Sequence, residues 1–120
     1  MPEYKTIAQY TPSNLVAGDF PLVTDSITIA LGQNLKEGAV LGQIKANGYY
    51  VLSVSTATDG SEVPAAILAE GVDTTMGEIR SVCYLSGQFN AKALSFGAGH
   101  TPETTRKNLR LLNIYLETIG

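Results

Sequence analysis

His100 and Cys83 are the only residues of their types in the chain, and both types serve in proteins as bases, nucleophiles or metal ligands. A Ser-His-Asp triad would need a nucleophile motif such as G-x-S-x-G, which the sequence lacks. One His and one Cys cannot make an ordinary zinc site, which takes four protein ligands or three and a water. We therefore assign His100 no catalytic or metal role. Cys83 lies between apolar residues and is interpreted as a small buried hydrophobe.

Two short motifs are similar to parts of known active sites. The G-A-G sequence at residues 97–99 precedes a helix, as phosphate-binding loops do, but the third glycine of G-x-G-x-x-G would fall at Pro102. Asp73, Thr74 and Thr75 are similar to the Asp-Thr-Gly of aspartic proteases, with Thr75 in place of the glycine. We interpret the first motif as a loop and the second as a turn. The sequence thus predicts no enzyme, no cofactor and no metal site.

Composition limits the class of protein further. A chain of 120 residues forms one domain, and 44% apolar residues suffice for one modest core. The net charge is −3 and no basic run exceeds Arg106 and Lys107, which argues against direct binding of nucleic acid. No apolar stretch reaches the roughly 18 residues of a membrane helix, and residues 1–14 lack the apolar region of a signal peptide. Only 16% of residues are charged, which leaves neutral surface for protein contacts.

The elements that must position these residues are mostly strands. Apolar residues alternate with Thr28 and Ala30 over residues 26–31, as in a half-buried strand. Asn47 and Gly48 predict a hairpin with a type I′ turn, which needs positive φ at both positions. The other predicted strands cover residues 39–44, 49–54, 79–85 and 114–119, and a turn is predicted at Ser86 and Gly87.

Residues 56–72 contain the predicted central strand. A turn at Asp59 and Gly60 and then Pro64 precede the apolar run A-A-I-L-A at residues 65–69. Because the run is short and bounded by Pro and Gly, it favours a buried strand over a helix. One helix is predicted over residues 101–110, with Thr101 as its N-cap, Pro102 at its first position and Asn113 near its end. Leu109 and Leu112 would be its apolar contacts.

Residues 1–20 have no helical or strand period over a long window and are interpreted as an N-terminal arm. The arm is either a frayed terminus or a segment that orders on a partner. In the second case Tyr4, Ile7 and Tyr10 would be its anchors, and the arm could add a strand to an exposed sheet edge.

The order of several segments resembles one known family. These are the D-G turn, the A-A-I-L-A strand, G-V-D-T-T at residues 71–75, Y-L-S-G-Q-F at residues 84–89, a charged helix and an apolar C-terminal strand. In this order and spacing the chain resembles the lambda-type head decoration proteins of tailed phages. The resemblance covers about the last two thirds of the chain, whereas residues 21–54 show no correspondence residue by residue.

The resemblance implies a mostly β fold: a small β-clip-like barrel with one short α-helix near the C-terminus and an extended N-terminal arm. Residues 1–20 would be a capsid-binding arm and residues 21–120 the decoration domain. The protein would be a homotrimer, made in the host cytoplasm, that binds the major capsid protein at three-fold sites on the outer surface of the expanded head. There it would stabilise the shell against the pressure of packaged DNA.

Two alternatives remain open at this point, since a fold does not determine a function. One is a small β-barrel that binds a ligand, which would show a deep apolar cavity. The other is a non-catalytic enzyme subunit or small enzyme, and a catalytic barrel would show polar side chains converging in a pocket.

Overall fold

Strands dominate the part of the chain that the computed structural model describes, residues 15–17 and 20–117. This part holds eight strands, a 3-10 turn over Ala91–Ala93 and one helix, α1, over Pro102–Arg110. The strands are β1 Val23–Ile29, β2 Asn34–Leu35, β3 Val40–Gln43, β4 Tyr50–Leu52, β5 Pro64–Leu68, β6 Val72–Asp73, β7 Ile79–Asn90 and β8 Ile114–Glu117. The predicted fold class, mostly β with one short helix near the C-terminus, is confirmed.

Five of the strands close into a barrel in the order β1, β4, β3, β5, β7. The long antiparallel pairing of β1 with β7 closes it and runs from Val23 opposite Ser86 to Ile29 opposite Ile79. β1 and β4 are parallel and meet at the single pair Ile29 and Tyr50. β8 lies outside the barrel, parallel to the last four residues of β7, and β2 and β6 form a separate antiparallel pair.

Two apolar clusters stabilise the two sides of the barrel wall. The first lies inside the barrel and contains Ile27, Ile29, Ala39, Leu41, Ala66, Leu68 and Cys83. The second lies between the wall and the elements α1 and β8, and contains Leu15, Val40, Ile67, Phe89, Ala91, Leu109, Ile114 and Leu116. Alternate residues of β3 and β5 supply both clusters, because successive side chains of a strand point to opposite faces.

β5 is the strand that the A-A-I-L-A run predicts. Ala66 and Leu68 belong to the inner cluster, and Ile67 between them belongs to the outer one. A strand that is covered on both faces is apolar throughout rather than alternating. The prediction of a buried strand is therefore confirmed, and the strand is apolar throughout because both of its faces are covered.

β7 continues through the predicted turn at Ser86 and Gly87, so that prediction is wrong. The strand carries a bulge instead, since Val23 pairs with Ser86 while Thr24 pairs with Tyr84, which leaves Leu85 as an extra residue. Gly87 is needed inside the strand because its φ is 147°, a conformation that residues with a side chain rarely adopt.

The bulge also changes which residues of β7 point into the barrel and which point to the outer cluster. Cys83 before the bulge points into the barrel, whereas Phe89 after it joins the outer cluster. Phe89 thus comes to the same side as Tyr84, and the centroids of the two rings lie 5.3 Å apart. One inserted residue lets a single long strand serve both clusters, because it reverses the alternation of side chains.

The hairpin of β3 and β4 is confirmed, but its turn type is wrong. Gly48 has a φ of 77°, and among the described residues Asn113 is the one non-glycine residue with positive φ, so Asn47 does not adopt it. Asn47 acts through its side chain instead: Oδ1 accepts a hydrogen bond from the amide of Tyr49 at 2.9 Å. Asn favours turns by this route as well as by tolerating positive φ.

Helix α1 matches the predicted range of residues 101–110, although Asn113, which was expected to end it, lies three residues beyond its last residue. Thr101 is its N-cap and forms a reciprocal capping box with Thr104, followed by Pro102 at the first position. The helix ends at Arg110, and Asn113, with a φ of 66°, closes the turn that follows. Leu109 is fully buried as predicted, but Leu112 is 44% exposed, so its predicted apolar contact is wrong.

Candidate functional site

The residues with catalytic potential do not form a catalytic arrangement. His100 Nε2 lies 3.0 Å from the carbonyl oxygen of Glu62 and 3.2 Å from Ser53 Oγ. A carbonyl oxygen accepts hydrogen bonds and donates none, so Nε2 carries the proton and cannot act as the base for Ser53. The hydroxyl of Ser53 donates to the carbonyl of Ser61 at 2.7 Å. His100 and Ser53 therefore form a structural link between two loops.

The G-A-G loop packs against the protein backbone. A Cβ on Gly97 would lie 2.0 Å from the carbonyl oxygen of Ser53, and the amide of Ser55 donates to the carbonyl of Ala98 at 3.0 Å. The glycine thus permits a close approach of two chain segments. The interpretation of residues 97–99 as a loop, and not as a phosphate cradle, agrees with this packing.

The Asp73-Thr74-Thr75 motif closes one end of the barrel. Thr74 is buried, and its Oγ1 donates to the carbonyl of Ala30 at 2.6 Å and accepts from the amide of Gln33 at 2.7 Å. The Asp73 carboxylate accepts a hydrogen bond from the amide of Thr75 at 3.0 Å, and this bond lowers the pKa of Asp73. The predicted turn is confirmed only in part, because Asp73 is the last residue of β6 and the turn lies at Thr75 and Met76.

Cys83 is fully buried inside the barrel, as predicted. Burial raises the pKa of its thiol to about 11, since the low-polarity interior disfavours the thiolate. Among the described residues no group of three or more His, Cys, Asp or Glu side chains could hold a metal ion.

A shallow groove lies beside β1 on the barrel surface. β1 and β4 pair only at Ile29 and Tyr50, so β1 and the hairpin loop diverge and leave an open space of about 270 Å³. It is lined by Asp25, Ser26, Ile27, Thr28, Gln43, Asn47, Gly48, Tyr49, Tyr50 and Arg80. Arg80 Nη2 donates to Ser26 Oγ at 3.0 Å. The groove is polar and open, unlike the deep apolar cavity expected of a ligand-binding barrel.

The remaining candidate is the place where the N-terminal arm joins the barrel. The predicted anchors Tyr4, Ile7 and Tyr10 lie outside the described residues. Residues 15–17, which we call the arm root, run antiparallel to the end of β7. Leu15 is 2% exposed and belongs to the outer cluster.

Hydrogen bonds and a ring contact hold the arm root in place. The amide of Asn90 donates to the carbonyl of Leu15 at 2.7 Å, and the amide of Ala17 donates to the carbonyl of Gln88 at 2.9 Å. Farther along the chain, the ring of Phe20 meets the ring of Tyr115 edge to face, with centroids 4.9 Å apart. The last residues of β7 thus lie between the arm root on one side and β8 on the other.

Sequence reasoning did not find the arm root. Leu15 and Phe20 are isolated apolar residues in a segment without a period, and they lie within the range predicted as arm. The boundary between arm and barrel at residue 20 stays a prediction. Ser53 was likewise missed, because its partner His100 is 47 residues away and leaves no local signal.

Comparison with known proteins adds one finding. The family model of the bacteriophage lambda head decoration protein D matches residues 5–114, which includes the arm root, the whole barrel and helix α1. The match also covers residues 21–54, where the motifs alone showed no correspondence. No curated protein matches the chain. In the described part of the chain the helix α1 has nine residues, and no helix has the length and apolar character needed to cross a bilayer.

Proposed function

Because the chain belongs to the family of the bacteriophage lambda head decoration protein D, we propose that it is a trimeric, non-enzymatic capsid protein. It binds the expanded phage head at three-fold sites, on the outer surface, and stabilises the shell against the pressure of packaged DNA. The observation that carries the proposal is the family match over residues 5–114. The partner is the major capsid protein, and the protein is made in the host cytoplasm before it joins the virion.

The arm, residues 1–20, is the proposed coupling element, and its part before the arm root would contact the capsid. An extended segment that pairs with an exposed sheet edge gains main-chain hydrogen bonds, and side chains such as Tyr4, Ile7 and Tyr10 would fill pockets. Ordering the arm costs about 1–2 kcal/mol per residue, so attachment needs a capsid edge that fits it well. We expect that this edge forms only when the head expands, so the protein should bind expanded heads and not their precursors.

The arm root supports this role through its firm attachment to the barrel. Leu15 is buried in the outer cluster, and two backbone hydrogen bonds of 2.7 and 2.9 Å join residues 15–17 to β7. A load on the arm would therefore pass directly into the barrel wall. In a trimer three such arms add through their effective concentration, so each arm can bind weakly while the assembly binds tightly.

Deleting residues 1–10 tests the proposal. The deletion leaves Leu15 and its hydrogen bonds intact, so the truncated protein should keep its oligomeric state and melting temperature. Its addition to expanded heads, measured by occupancy in electron microscopy, should be lost or greatly reduced. A full-length variant with Tyr4, Ile7 and Tyr10 changed to Ser should show the same loss.

The control is Val63→Ser, at an exposed apolar position of the barrel, which should decorate heads normally. Full occupancy by the truncated protein, with protection of the heads against heat, would mean that the folded barrel carries the attachment. Binding of the intact protein to unexpanded precursors would contradict the requirement for the expanded state.

A further inference from the structure

Large apolar side chains are exposed at the end of the barrel where β1 ends and β7 begins. Leu31 is 64% exposed, Met76 is 97% exposed and Ile79 is 43% exposed. Thr74 holds the two turns beside each other, since its carbonyl accepts from the amide of Gly32 at 3.0 Å and from that of Gly77 at 3.2 Å. We call Leu31, Met76 and Ile79 the tip patch.

A second group of exposed apolar side chains lies at the other end of the β1 and β7 pairing. Leu22 is 40% exposed, Leu111 is 79% exposed and Leu112 is 44% exposed. Leu22 lies against Gly87, and the amide of Gly87 donates to the carbonyl of Asn113 at 3.0 Å, which brings the turn after α1 to the same place. We call Leu22, Leu111 and Leu112 the base patch.

The two patches are separated along the molecule. β1 runs from Val23, next to the base patch, to Ile29, two residues before the tip patch. At about 3.3 Å per residue this strand places the patches roughly 20 Å apart. They are therefore two distinct surfaces, each with several exposed apolar side chains, and such groups mark sites of protein contact more often than single exposed residues do.

The net charges beside the two patches have opposite signs. The exposed carboxylates of Asp73 and Glu78 flank Met76 and Ile79 in the tip patch. The exposed Arg80 follows Ile79 and donates a hydrogen bond to Ser26 Oγ at 3.0 Å, so two negative charges and one positive charge lie beside this patch. The exposed cations Lys107 and Arg110 lie in the last turn of α1, directly before Leu111 in the base patch. Complementary charges of this kind orient two surfaces toward each other and disfavour contact between two copies of the same patch.

We propose that the tip patch of one copy packs against the base patch of the next copy, and that three such contacts close the trimer. The inference rests on the trimer of the proposed function and names the surfaces that form it. A three-fold rotation never exchanges two neighbouring copies, so each contact in a trimer must join two different surfaces. The tip and base patches are such a pair, apolar at their centres and opposite in charge at their rims.

Two exposed-site variants test this pairing. Met76→Glu puts a charge into the tip patch, and Leu111→Glu puts one into the base patch, and both positions are too exposed for the change to disturb the barrel. Analytical ultracentrifugation of the full chain should give a trimer for the unchanged protein and a monomer for each variant alone. An equimolar mixture of the two variants should form a dimer, because one tip patch and one base patch remain intact between them.

A charge exchange provides a second, independent measurement. Glu78→Arg and Arg110→Glu should each shift the trimer toward monomer, and the chain that carries both changes should regain the trimer, since opposite charges face each other again. Val63→Glu, at a 54% exposed apolar position outside both patches, is the matched control and should remain a trimer.

Each result has one meaning. A monomeric unchanged protein would overturn the trimer of the proposed function itself, and the named interface with it. A trimeric unchanged protein whose Met76→Glu and Leu111→Glu variants are also trimers would overturn the interface and leave the function standing. A mixture of the two variants that stays monomeric would overturn the pairing of these two patches.

Discussion

Gly97 is a residue where two backbone segments touch. Its φ is not in the left-handed region, so the need for glycine comes from space alone: a Cβ would lie 2.0 Å from the carbonyl oxygen of Ser53 and 2.9 Å from its carbon. The neighbouring link from His100 to Ser53 and Glu62 holds the same two segments together. These residues determine where α1 meets the barrel, since Thr101, the N-cap of the helix, follows His100 directly.

We expect Gly97→Ala to destabilise the protein by about 1–3 kcal/mol, because the obstructing atoms belong to the backbone and cannot move cheaply. The free energy of unfolding from urea denaturation measures the effect. Ala98→Ser is the matched control, at an exposed neighbouring position, and should change stability by less than about 0.5 kcal/mol. An unchanged free energy for Gly97→Ala would mean that the loop is free to move away from Ser53.

Helix α1 depends both on a local capping interaction at its N-terminus and on side chains that pack against the barrel wall. Its N-terminus is stabilised by the capping box of Thr101 and Thr104, and its buried residues Thr105 and Leu109 face the barrel wall. The helix has nine residues, which is too short for stability in isolation, so the cap and the tertiary contacts must act together.

Removing the cap should therefore destabilise the whole domain. Thr101→Ala takes away the acceptor of the Thr104 amide, a bond of 3.1 Å, and should cost about 1 kcal/mol. We expect a melting temperature about 4 °C lower in a thermal scan followed by circular dichroism. Thr58→Ala, at an exposed threonine in a loop, is the control. Equal melting temperatures for the two variants would show that the cap contributes nothing measurable.

At the scale of the whole molecule, the barrel depends on contacts between distant parts of the chain. β1 and β7 are joined along seven residue pairs, although Ile29 and Ile79 are 50 positions apart in sequence. The arm root joins the same long strand from the far N-terminal side. The barrel wall, the attachment of the arm and both apolar patches thus depend on β7.

The proposed trimer would make the stability of the protein depend on its concentration. Since assembly stabilises the folded chain by mass action, the melting temperature should rise by several degrees between about 1 and 100 µM protein. Differential scanning calorimetry at several concentrations measures it. Met76→Glu, which removes one surface of the proposed interface, should melt at a temperature independent of concentration. A melting temperature of the unchanged protein that is constant over this range would contradict assembly.

Features that depend on a few neighbouring residues were predicted from the sequence. The start of α1 at Thr101 and Pro102, the buried strand β5 and the hairpin at Asn47 and Gly48 all follow from interactions within about four residues. The interpretation of Cys83 as a buried hydrophobe succeeded for a similar reason, since its apolar neighbours in the strand already indicated its surroundings.

Features that depend on distant contacts were decided only by the tertiary structure. Ser86 and Gly87 have the composition of a turn, but the pairing of Ser86 with β1 and of Gly87 with β8 extends β7 through them. Leu15 has no periodic neighbours, yet it is buried because β7 supplies a partner more than 70 positions away. Packing free energy from such contacts exceeds local preference, and a pattern in the sequence records only the local part.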